Sequence, residues 1–85
     1  MTYDDAIWSY AEEFSDDLLR GVSDKSVEPV LEEIAETMSY ELNKRDRRKV
    51  LEKMETLMWL NVSERRIDKT AWEKIRYILA SFVGA

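Results

Sequence analysis

Apolar side chains recur at intervals of three and four residues along most of the chain, and that pattern restricts it to helices. Tyr3, Ile7, Tyr10, Ala11, Phe14 and Leu18 fall on one side of a helix, as do Val27, Val30, Leu31, Ile34 and Met38. Val50, Leu51, Met54, Leu57 and Met58 repeat the spacing, followed by Ala71, Trp72, Ile75, Ile78, Leu79 and Phe82. Only two glycines and one proline interrupt 85 residues, and no window alternates β-branched residues as a strand would. We therefore expect an all-α fold, a small antiparallel bundle of about four helices forming one domain over residues 1–85.

Helix ends are readable in places. Thr2 with Asp5 resembles a capping box, and Gly21 is expected to supply a left-handed stop after a helix from Tyr3 to Arg20. Ser26 suits an N-cap for the second helix, with Pro29 tolerated in its first turn, and that helix is expected to end around Asn43. A break near 43–46 is favoured over a fused rod, with Asn43 or Asp46 capping the third helix. The segment NVSERRIDK reads as a connector with one turn of helix, and Thr70 with Glu73 as the cap of the last helix.

The stretch TLMWLNV sets four large apolar residues, Leu57, Met58, Trp59 and Leu60, in a row. Consecutive helical residues point about 100° apart, so such a row wraps a helix on every side. Leu57 and Met58 continue the inward stripe, whereas Trp59 and Leu60 point toward Lys49, Glu52 and Lys53. Trp8 and Leu19 likewise fall about 100° to 120° around from Ile7, with Ser15 between them, as a second apolar flank. Tyr40 and Tyr77 also lie off their stripes.

Charge divides the chain. Residues 1–43 carry twelve acids against two bases, and residues 44–85 eleven bases against six acids, which together give the net charge of −5. Asymmetry of this kind steers encounters more than it adds affinity, although the halves also complement one another within a fold. The basic run Lys44, Arg45, Arg47, Arg48 and Lys49 is the one patch suited to gripping phosphate, an acidic partner, a second copy of the chain, or the acids of the first two helices. No helix-turn-helix signature accompanies it.

Catalytic equipment is thin. Without cysteine or histidine there is no disulfide, no thiol nucleophile, and neither of the usual zinc ligands. Glu32, Glu33 and Glu36 have the EExxE spacing by which opposed glutamates bind magnesium in all-helical nucleotide pyrophosphohydrolases, with Glu52 and Glu55 on another helix. Glu33, however, lies about 100° from Ile34, and the other two project farther out, so a solvated face is expected. No cofactor, no metal and no enzymatic activity are expected. An acidic N-terminus and the lack of any apolar run near ~20 residues give the expectation of a soluble cytoplasmic protein without membrane contact.

Three tryptophans and four tyrosines exceed what a small core readily hides. The expected function is a protein–protein interaction module that inhibits or regulates a larger partner. Trp8, Leu19, Trp59 and Leu60 are its candidate anchors, and Glu12, Glu13, Asp16 and Asp17 its steering charges. Small acidic helical chains of this character occur among phage and bacterial antagonists such as anti-CRISPR proteins, antirepressors and immunity proteins, a likeness of size and character that carries no residue over. The alternative is a nucleic-acid-associated regulator in which a dimer pools two copies of the 44–49 patch. Homodimerisation suits either reading.

Overall fold

A computed structural model describes residues 2–84. Four helices account for nearly all of them: α1 (Tyr3–Ser23), α2 (Val27–Glu41), α3 (Lys44–Ser63) and α4 (Lys69–Gly84). The all-α expectation holds, as does the break between α2 and α3. The Asn43 side chain accepts from the Asp46 backbone N–H at 2.8 Å and starts α3 afresh.

The packing order differs from the chain order. α1 packs most extensively on α3, α4 on α3, and α2 on α1, while α2 and α4 touch only lightly. Side-chain pairs give the directions. Tyr3 reaches Asp46 and Trp8 lies beneath Lys53, so α1 and α3 run parallel. Tyr10 bonds Glu41 and Gly21 faces Val30, so α1 and α2 are antiparallel. Glu55 pairs with Arg76 at 2.8 Å, making α3 and α4 antiparallel too. Consecutive helices thus alternate in direction, but the helices form a ring in the order α1, α2, α4, α3, whose tightest edge is the parallel α1–α3 contact.

The core fills this ring with Ile7, Ala11, Phe14 and Leu18 from α1, and Leu31, Ile34 and Met38 from α2. Val50, Leu51, Met54 and Met58 come from α3, and Trp72, Ile75, Leu79 and Val83 from α4. Each Val, Leu, Ile, Phe or Met side chain among them, fully buried, contributes ~1.5–3 kcal/mol relative to exposure. Two connector residues join them: Leu42 and Ile67 are both buried. Tyr3 and Ile78, expected inside, are 46% and 39% exposed. Both sit at the edges of their stripes, and Tyr3 meets α3 only through Arg45 and Asp46.

The helix stops correct two expectations. Gly21 does not end α1: it is buried, and a Cβ there would stand 3.0 Å from Val30 Cγ2 and 3.3 Å from Val27 Cα, so its role is close approach of α2. The left-handed residue is Lys25 at φ 57°, with Ser26 N–H donating to Gly21 O at 2.8 Å and Lys25 N–H to Val22 O at 3.2 Å. The same Schellman arrangement ends α3 at Arg65, φ 60°, with Arg66 N–H donating to Asn61 O. A cation stands at each negative helix end where glycine is usual. Nor does Thr70 cap α4. Asp68 does, accepting from the backbone N–H groups of Thr70 and Ala71, while Glu73 faces Lys69 at 3.9 Å. Ser26 has the N-cap position of α2 but makes no side-chain capping bond.

Because an L-residue in the left-handed region costs ~1–2 kcal/mol, Lys25→Gly should raise stability, offset in part by the greater freedom of glycine in the unfolded chain. Urea denaturation should show a gain of up to ~1 kcal/mol with an unchanged m value. A loss would mean that the Lys25 cation outweighs the backbone term.

Candidate functional site

The outer face of α3 carries the basic segment at one end and the TrpLeu pair at the other. Arg47 has left the surface patch. Its Nε donates to Met38 O at 3.0 Å and Leu42 O at 3.1 Å, and Nη2 to Ser39 O at 3.4 Å. These are the terminal carbonyls of α2, so Arg47 serves as that helix's C-terminal cap and complements its dipole. Arg45 stacks over the Tyr3 ring at 5.5 Å and lies 3.6 Å from Asp46. Lys44, Arg48 and Lys49 remain exposed, and no ion pair among the described residues joins the segment to the acids of α1 or α2. The pairing of this run with the acids of the first two helices is therefore absent among them. Asp46 is also held by Tyr3, whose hydroxyl donates to Oδ1; that bond, followed by partial burial, raises the phenol pKa above its ordinary value. Tyr10 is raised likewise, first by its bond to Glu41 at 3.0 Å.

The greasy row of α3 resolves into four environments. Met58 is fully buried in the ring and Leu57 half-buried against it. Trp59 leans toward α4, its ring edge-on to the buried Trp72 with centroids 6.5 Å apart, and stays 39% exposed. Leu60, about 100° farther round, is 54% exposed. The two do not form one compact anchor but flank the outer ridge of α3 on either side.

Trp8 and Leu19 turn inward. Trp8 is half-buried with Lys53 Nζ 5.3 Å from its ring centroid, and Leu19 is half-buried against the core. Ser15 between them is buried as well. Their flank is the side of α1 that meets α3, so neither presents its full side chain outward. Farther out on α1, Glu12, Glu13 and Asp16 are exposed, and Asp17 is half-buried in a pair with Arg20.

Sequence reasoning did not single out the surface where α2 and α4 meet. Glu32, Ala35, Glu36, Ser39, Tyr40 and Phe82 line an open groove there of about 640 Å³. Tyr40 is 88% and Tyr77 78% exposed. The position of Tyr40 off its stripe was the one available signal for the groove. Glu32, Glu33 and Glu36 are all solvent-exposed, and among the described residues no cluster of three or more acids is arranged to hold a metal ion. No helix among them is long and apolar enough to cross a membrane. No family model, curated protein or solved structure matches this chain.

The basic segment divides into structural and free residues, and the two kinds separate by stability. Arg47→Ala should cost ~1–3 kcal/mol, since it leaves two part-buried carbonyl contacts and one exposed contact unmade. Arg48→Ala should stay within ~0.5 kcal/mol. Equal effects in chemical denaturation would contradict the cap.

Proposed function

We propose that this chain is a cytoplasmic protein–protein interaction module that inhibits or regulates a larger partner by occupying part of its surface. The observation that carries the reading is the exposure of Trp59 and Leu60 on the two flanks of an outer ridge of α3 composed of charged and polar residues. Leaving a large ring in water is unfavourable, and interfaces use such rings as anchors. Trp59 is also held edge-on by Trp72, which limits the entropy lost when it docks. Exposed Glu52, Thr56 and Ser63 on the same outer face border the two side chains as a polar rim of the kind that interfaces have.

The exposed acids of α1 support the same reading. Glu12, Glu13 and Asp16 point to solvent, where they orient an approaching partner and raise its association rate. The nucleic-acid reading loses ground because Arg47 is committed to α2 and Arg45 to Tyr3 and Asp46. Three bases, Lys44, Arg48 and Lys49, remain for phosphate on a chain of net charge −5.

The chain used as bait in affinity capture from a cell extract of its source should retain a protein whose dissociation can then be timed. Trp59→Ala should hasten dissociation by roughly 30-fold, the effect of losing about 2 kcal/mol at an anchor. Glu12→Lys with Asp16→Lys should slow association at low salt and little at high salt. If neither variant changes binding, these surfaces are not the interface.

A further inference from the structure

α2 contains five glutamates, Glu28, Glu32, Glu33, Glu36 and Glu41, and no lysine or arginine. None of the ion pairs among the described residues reaches this helix. Glu41 alone has a side-chain partner, Tyr10. Glu28, Glu32 and Glu36 follow one another at four-residue intervals, so they form a single exposed row of like charges that repel along the helix. Such a row is most readily relieved by cations from outside.

The row borders the loosest edge of the helical ring. α2 and α4 run parallel there with only a light contact, and the groove between them has Ala35 and the half-buried Phe82 as its apolar floor. Ile78, exposed one turn before Phe82, extends the apolar surface along α4, and Tyr40 lines the groove on the α2 side. Ser39 and Ala35 are small, which lets another backbone approach. Lys74, one turn before Ile78, is the base on the α4 side.

We propose that the α2–α4 groove is a docking site for a basic amphipathic helix of a partner protein. Its apolar residues at i, i+3/i+4 and i+7 would lie on Ala35, Phe82 and Ile78, and lysines or arginines along one edge would meet Glu28, Glu32 and Glu36. A helix laid between two helices is a recurrent mode of recognition, and α2 at ~1.5 Å per residue offers space for about four turns. The charge row selects the sign of the occupant and the floor selects its amphipathicity. This inference rests on the interaction-module reading but uses a surface distinct from Trp59 and Leu60.

The probe is a labelled Leu/Lys amphipathic peptide of roughly 15 residues, read by fluorescence anisotropy against the full chain, with its Leu/Glu counterpart as the charge control. The Leu/Lys peptide should bind and the Leu/Glu peptide should not. Glu32→Lys with Glu36→Lys should weaken binding roughly tenfold or more, as should Ile78→Asp, while the equal charge change Glu12→Lys with Asp16→Lys on α1 should weaken it less than about threefold. Circular dichroism checks that each variant stays helical. Absence of binding, or equal weakening by the α1 and α2 reversals, overturns the groove. A chain that dimerises by itself until Glu32→Lys with Glu36→Lys makes it monomeric overturns the separate partner in favour of a second copy. A protein captured through Trp59 that survives either failure leaves the broader reading standing.

Discussion

The parallel contact between α1 and α3 is the constraint on which the remaining structure depends. Here α2 returns antiparallel to α1 through two short links, and so brings α3 back parallel to α1. Asn43, the Schellman turn at Lys25 and the Arg47 cap set those links. Ala11 and Ser15, both small and buried on α1, keep the packed surface of that helix shallow. The cost is the Ser15 hydroxyl, which is buried without a hydrogen-bond partner among the described residues. Once α1 occupies one flank of α3, α4 takes the other, and α2 is left with α1 and a light touch on α4.

This order explains why α3 is apolar on nearly every side in its last two turns. A helix at the corner of an open ring buries one stripe, but α3 is contacted on both flanks. Met58 faces the interior, Trp59 meets Trp72 of α4, and Lys53 on the other flank covers Trp8 of α1. Only Leu60 and part of Trp59 are left over. The order also distributes charge, placing the acids of α1 and α2 on outer faces that no basic residue of α3 reaches through an ion pair among the described residues. The two-faced sequence becomes a two-faced surface.

Periodicity carried the helices and most of the core because it reports which face is apolar, a local property. It could not report which faces meet. Trp8 and Leu19 read as a second flank, but nothing in the spacing shows that α3 would cover it. Gly21 has the composition of a stop and the position of a contact, and only the distance to Val30 decides between them. Lys25 and Arg65 give no signal for a left-handed residue, since glycine and asparagine are the types expected there. Arg47 looks identical to Arg48 in the sequence. One residue of phase on α3, about 100°, aims it at the carbonyls of α2 and leaves its neighbour in water. The α2–α4 groove was legible only as Tyr40 lying off its stripe, because a groove belongs to two helices and a stripe to one.

The measurement that tests this account most directly is native-state hydrogen exchange resolved by residue. Amides around Phe14 and Leu18 in α1 and Met54 and Met58 in α3 should exchange only through global unfolding, while those of α2 and the last turns of α4 open at lower free energy along their weak mutual edge. Protection of α2 equal to that of α1 and α3, or independent opening of α1 from α3, would show that the parallel pair is not what holds the ring together.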